Sequence, residues 1–138
     1  MLNRLTDGLN FNAQSLMLRA ERQQLIASNI ANADTPGYVA RDFNFAQALR
    51  DATSAANSAS TLTRSGGGLS LGSSMSSSTE RNLLYALPSQ TNLDRNTVDM
   101  DRERASFAEN TVKYESTLRF VNGQVKTMLD AIKGINGS

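Results

Sequence analysis

One pattern limits the fold more than any other. Near the end of the chain, Phe107, Thr111, Tyr114, Leu118, Val121, Val125, Met128 and Ile132 succeed one another at alternating spacings of four and three. Seven of these eight positions are apolar. That rhythm puts them on one stripe of a long helix, the kind of seam along which coiled coils pair. The flanking residues agree. Asn96 is placed to cap the helix with Asp99 at its third position. Asp99, Asp101 and Glu103 fall in the first turns, where the helix dipole favours negative charge. Glu109–Lys113 and Glu115–Arg119 are supporting pairs four apart, and Gly134 and Gly137 stop the run. The acidic trio needs no metal to explain it.

The other end of the chain carries a matching signal. Leu2, Leu9, Leu16, Gln23 and Ile30 recur every seven residues, and Ala13, Ala20 and Ala27 make a second stripe, preceded by Thr6. A large stripe beside a small one lets another helix approach closely. Gln23 is the one polar interruption and is suited to setting register. An ordinary amphipathic helix facing its own core accounts for the first helix equally well.

Between the helices the chain changes character. Residues 52–79 are mostly Ser, Thr, Gly and Ala, too poor in apolar surface to offset the entropy of ordering them. A flexible or weakly structured loop is expected there. Two islands flank it. "YVARDFNFAQAL" (Tyr38–Leu49) reads as an extended piece and then a helical turn capped by Asn44, and "RNLLYALPSQTNL" (Arg81–Leu93) as an apolar patch broken by Pro88. The expected architecture is therefore mainly α. A helix within residues 1–33 and another within 97–138 pair as a coiled-coil hairpin. Residues 34–96 join them as a turn, an extended arm and a Ser/Gly-rich loop, all in one domain. Each helix of about 30 residues is roughly 45 Å long. A two-helix hairpin has little interior, so the isolated chain is expected to be marginal, with its outer faces completed by neighbours.

Composition removes whole classes of function. There is no Cys and no His, which excludes disulfides, Cys or His catalysis and the usual zinc ligands. The net charge is +1. Residues 1–42 hold four Arg against four acids, and residues 97–138 hold six basic against six acidic side chains. No basic face for nucleic acid emerges. The first residues, "MLNRLTDGLN", lack the pattern of a cleavable signal peptide, and no run approaches the roughly 20 apolar residues that span a bilayer. "GLSLG" (Gly68–Gly72) fits a serine-nucleophile pattern, but Ser70 has no His to activate it. Gly67 and Gly72 have phosphate-loop spacing, but Ser73 stands where the Lys belongs. Both are more simply linker. No catalytic residue, cofactor, metal or small-molecule substrate is expected.

The stretch "ASNIANADTPGY" (Ala27–Tyr38) asks for a different explanation. Ala27 and Ile30 finish the two stripes of the first helix. Asn29 and Asn32 are suited to bonding the carbonyls left unpaired at a helix end. Thr35-Pro36-Gly37-Tyr38 suits a type II turn, and Pro bars the helix from continuing. The expected product is a rigid corner between a packed helix and an exposed arm.

That stretch also resembles the N-terminal motif of the axial proteins of the bacterial flagellum. The matching positions are Ala27, Ser28, Asn29, Ile30, Ala31, Asn32, Thr35, Pro36, Gly37 and Tyr38. Within that group the chain is most similar to the proximal basal-body rod proteins of the FlgB type. "YVARDFNFAQAL" resembles the segment immediately C-terminal to the motif in those proteins. "NTVDMDRERASFAENTVKYES" resembles the start of the C-terminal helix, with Val98, Asp99, Asp101, Glu103, Ala108, Glu109, Asn110 and Tyr114 in corresponding places. Arg104 departs from the family, which usually has an apolar residue there.

The resemblance implies a structural subunit without enzymatic activity. It implies terminal helices that stack into a hollow helical tube, and export through the flagellar type III apparatus without a cleaved signal. It further implies assembly on the periplasmic side of the basal body. The implied partners are copies of itself, other rod proteins, and an adaptor with the export-gate and membrane-ring components. The expected assembly seam is Leu2, Leu9, Leu16, Ile30, Phe107, Tyr114, Leu118, Val121, Val125, Met128 and Ile132. The competing reading from the residues alone is a soluble helical-hairpin adaptor or chaperone-like module that closes as a dimer.

Overall fold

The computed structural model describes residues 2–63, 83–85 and 96–137. It is mainly helical. Helix α1 spans Leu2–Ala31, strand β1 Arg41–Phe43, helix α2 Phe45–Thr63, strand β2 Leu83–Tyr85 and helix α3 Met100–Asn136. Among the described residues no helix is long and apolar enough to cross a membrane.

Helices α1 and α3 lie side by side and antiparallel. Asn12 meets Gln124 (3.0 Å), Arg19 meets Thr117 (3.2 Å) and Gln23 meets Thr111 (2.9 Å), so the numbers rise along one helix as they fall along the other. Helix α2 packs on another side of α1. Leu18, Phe43, Ala48 and Ala52 form a small buried core there, with Leu25, Phe45 and Leu49 packed against it. Arg19 spans the junction, its guanidinium 4.4 Å from the centre of the Phe45 ring, a cation–π contact. Strands β1 and β2 pair antiparallel, with Asp42 opposite Leu84.

Two expectations are corrected here. Residues 52–63 belong to α2 rather than to a loop. The Ala content that looked like linker is what lets α2 sit close to α1, and Ala48 and Ala52 are 1% and 5% exposed. Asn44 does cap this helix, its Oδ1 accepting from the Gln47 amide at 3.2 Å. The Ser70 and Gly67–Gly72 patterns lie outside the described residues. The second correction concerns the start of α3. Its N-cap is Asp99, which accepts from the Arg102 amide at 3.2 Å. Asn96 lies upstream and does other work.

The residues of the expected seam divide between two faces of α3. The α3 face turned towards α1 carries Asn110, Thr117 and Gln124, seven apart and polar, interleaved with half-buried Tyr114, Val121 and Met128. Asn110 is 2% exposed and donates to the Arg19 carbonyl (2.9 Å) and to Gln23 Oε1 (2.7 Å). Gln23 therefore interrupts the α1 stripe because it has polar partners across the interface. Phe107, Leu118, Val125 and Ile132 sit a fraction of a turn away from this face and are 38%, 38%, 39% and 50% exposed. On α1, Leu9, Leu16 and Ile30 are half-buried, while Ala20 and Ala27 are exposed; the side chain of Leu2 is outside the described residues.

Candidate functional site: the corner and the open flank

The motif stretch builds a hydrogen-bonded corner. Helix α1 ends at Ala31, and Asn32 Nδ2 turns back to the Ser28 carbonyl at 2.8 Å. The Tyr38 amide reaches the Thr35 carbonyl at 3.3 Å, and Gly37 has φ 73°. This is the third position of a type II turn, where a positive φ selects glycine.

Asn29 does not serve the helix end as expected. It is 1% exposed and clamps the arm instead. Its Nδ2 donates to the Arg41 carbonyl (2.8 Å), and its Oδ1 accepts from the Arg41 amide (3.0 Å). The side-chain amide thus replaces a neighbouring strand along β1. The Tyr38 hydroxyl donates to the same Oδ1 at 3.1 Å and lies 3.3 Å from Ser28 Oγ. The arm is consequently buried in part: Ala40 and Phe43 are 3% and 2% exposed, while Val39 is 40% exposed.

The helix-end carbonyls are met from the far end of the sequence. Asn96 Nδ2 donates to the carbonyls of Asn32 (3.0 Å), Ala33 (2.7 Å) and Thr35 (2.8 Å), its two protons shared among three acceptors. Its Oδ1 accepts from the Val98 amide at 2.8 Å. Next to it, the Thr97 amide donates to the Tyr38 carbonyl (3.1 Å), and Thr97 Oγ1 accepts from the Ala40 amide (2.9 Å). The sequence pattern alone makes Asn96 a cap of the helix C-terminal to it. The signal that could have found its role is the pairing of a lone Asn-Thr before one helix with a Pro-Gly turn after the other.

Charge gathers at the same junction. Arg22 grips Asp42 with two bonds, Nε at 3.0 Å and a terminal nitrogen at 2.9 Å. Glu103 approaches from α3. Burial pushes its carboxyl above the usual range, a hydrogen bond from Asn29 opposes that, and the nearby Asp42 charge adds to it. Farther along α3 the exposed Glu109 is held below its usual range by its bond to Lys113, as the spacing predicted. Among the described residues, no group of three or more Asp or Glu side chains is placed to hold a metal ion.

The remaining feature is apolar and open. A helix turns 100° per residue. Phe107, Leu118, Val125 and Leu129 therefore line one flank of α3, and Leu9, Ala13, Leu16, Ala20 and Ala27 the adjoining flank of α1. Helix α2 packs on the other flank, through Leu18 and Leu25. Single exposed apolar residues are ordinary, but a contiguous band marks an interaction surface.

Comparison with known proteins agrees with what this geometry lacks and what it offers. The family profile described as "Flagella basal body rod protein" matches residues 9–38, which hold most of α1 and the whole corner. The chain is 45% identical to the flagellar basal body rod protein FlgB of Salmonella typhimurium, over 99% of this chain and 100% of that protein. It is 42% identical to FlgB of Escherichia coli at the same coverage. It is 37% identical to FlgB of Buchnera aphidicola, over 97% of this chain and 100% of the relative. The polar corner and the open apolar flank are thus features of a chain that belongs to the FlgB family of flagellar basal body rod proteins.

Proposed function

We propose that this protein is a structural subunit of the proximal rod of the flagellar basal body, acting through surfaces and not through chemistry. The observation that supports this best is full-length similarity to rod proteins in a chain whose apolar flank is covered by no other element among the described residues. In this reading α1 and α3 form a coiled-coil hairpin. Of the expected seam, Tyr114, Val121 and Met128 face α1 within one subunit, and copies stack through Leu2, Leu9, Leu16, Ile30, Phe107, Leu118, Val125 and Ile132 into a hollow helical tube. The family resemblance supports export without a cleaved signal and assembly on the periplasmic side. It also supports contacts with other rod proteins and with the adaptor, export-gate and membrane-ring components.

Physical reasoning supports the choice of seam. Leu118 and Phe107 are exposed enough to meet a neighbour and apolar enough to gain from it, at about 25 cal/mol per Å² buried. A helix pair joined by polar rungs has little apolar driving force of its own, so association would complete it. A strain lacking this chain is expected to have no rod and no motility. Restoring the chain with Leu118→Asp should leave the subunit folded but the strain non-motile. Normal flagellation in that strain would remove Leu118 from the seam. Sedimentation of the purified protein addresses the adaptor reading, which requires a closed dimer at all concentrations.

A further inference from the structure

Asn122 and Asn136 are the two asparagines of the chain that precede a glycine. The pairing matters chemically. The backbone nitrogen of the following residue can attack the carbonyl carbon of the Asn side chain and close a five-membered ring. Glycine, without a Cβ, leaves that nitrogen the most open approach. Both asparagines stand on α3 and both are exposed. In sequence the two pairs are equivalent. In the fold they are not.

Asn122 lies near the middle of α3, with helix on both sides. A helical ψ of about −42° holds the Gly123 nitrogen away from the Asn122 side chain. The N–H on that nitrogen is also committed to the carbonyl four residues earlier. To react there, the helix must open at its centre. Asn136 is the last residue of α3, and Gly137 has already left helical geometry, with φ −99° and ψ 5°. Residues 129–137 are all exposed, and Ile135 is 74% exposed. A helix end frays at little cost in free energy, whereas a helix centre opens only with much of the fold. A Cβ on Gly137 would stand 3.2 Å from the Lys133 carbonyl oxygen, closer than ordinary contact. The cap therefore favours the very residue that makes Asn136 reactive.

We propose that Asn136 is a self-modification site, whose side-chain amide becomes a carboxylate in water without an enzyme, while the surrounding helix preserves Asn122. The Gly137 nitrogen bonds to Asn136 Cγ and gives up its proton. The side-chain nitrogen leaves with that proton as ammonia. Water then adds to one of the two ring carbonyls and breaks its bond to the ring nitrogen. Opening at Cγ gives aspartate. Opening at the main-chain carbonyl gives isoaspartate, in which the chain runs through the former side chain.

Either product places a negative charge at the carbonyl end of α3, where the helix dipole opposes it. Lys133, the basic residue of that last turn, lies three positions earlier and offsets part of the penalty. Isoaspartate also lengthens the main chain by a methylene and keeps the last turn from re-forming. Each conversion lowers the net charge of the chain by one, from +1 to zero. The change runs one way in water, so the converted fraction records how long this helix end has been free to fray.

Trypsin separates the two sites. Cleavage after Arg119 and Lys126 isolates Asn122, and cleavage after Lys133 isolates Asn136. The purified, folded chain is held in warm, mildly alkaline buffer, and both peptides are followed by mass spectrometry over days. Asn136 is expected to convert at least about tenfold faster than Asn122, to a mixture of isoaspartate and aspartate. In guanidinium both sites should convert at similar rates, since both precede glycine. Gly137→Ala should slow Asn136 about tenfold even in guanidinium, where the cap plays no part. No conversion at Asn136, or equal rates at both sites in the folded chain, overturns the assignment. A gap between the sites that persists in guanidinium removes the helix as its cause. Aspartate as the sole product, or a Gly137→Ala chain that is not slowed, overturns the ring route.

Discussion

At the corner, Asn29 is 1% exposed and Asn96 is 6% exposed, and both side-chain amides donate to the backbone of a segment distant in sequence. At the far end of the helix pair, Leu129, Ile132 and Ile135 are 51%, 50% and 74% exposed, and Leu5 on α1 is 43% exposed. One region is polar and buried, the other apolar and open. In a self-contained protein the assignment would be the reverse. The polar groups of the corner are enclosed because backbone reverses direction there, and each N–H and C=O must find a partner. The apolar groups of the far end are open because one helix pair has no inside left to hold them. The corner therefore specifies the subunit, and the far end is where a neighbour gains by binding.

The largest test of this contrast is Asn29→Leu. The substitution keeps the branched outline, with a somewhat larger volume, but removes both bonds to Arg41 and the one to Tyr38. An enclosed amide and carbonyl on β1 would lose their partner, at a cost of about 1–3 kcal/mol for each unsatisfied group. We expect a loss of about 3 kcal/mol in stability, seen as a lower midpoint in urea, with β1 amides exchanging early. Unchanged protection at Arg41 would mean that the clamp is dispensable. At the other region, Leu129→Ser should shift monomer stability by no more than about 0.5 kcal/mol, because the side chain is half exposed already. Its effect should appear as weaker association in sedimentation. A large loss of monomer stability would show that the far end is already packed within one chain.

Legibility in the sequence divides along the same line. Both long helices are readable from periodicity, because four-three spacing survives any tertiary context. The turn at Thr35–Tyr38 is readable from Pro and Gly, whose backbone limits are local. What Asn29 and Asn96 bind is not readable. Each amide is equally suited to a cap, and the choice is made by a segment some 12 or 60 residues away. The inward face of α3 is hidden for a related reason. The apolar stripe is real, but the Asn110 amide reaches Gln23 Oε1 only if polar residues face inward, which turns Leu118 and Val125 outward. The first turn of α2 and its Asn44 cap are readable, but its continuation over residues 52–63 escapes sequence reasoning because Ala in a Ser-rich run looks the same whether it packs against a helix or lies in solvent.

The smallest expected effect, and the only stabilising one, is at the margin of the corner. Glu103 is drawn in beside Asn29 and Asp42, with Arg22 and Arg102 nearby. Burial raises its folded-state pKa above the unfolded value, so between those two values the folded chain binds more protons than the unfolded one. Stability therefore falls as pH rises through that window, and the penalty is fully present at neutral pH. The side chain is only half-buried, so solvent screening leaves only a fraction of a kcal/mol. Glu103→Gln keeps the shape and the bond to Asn29 and removes the charge. It should raise the melting temperature slightly at neutral pH and leave it unchanged well below the carboxylate range. It should also flatten the fall in stability with rising pH between them, as monitored by circular dichroism. The opposite sign at neutral pH would show that Arg22 and Arg102, and not burial, dominate the field at this carboxyl.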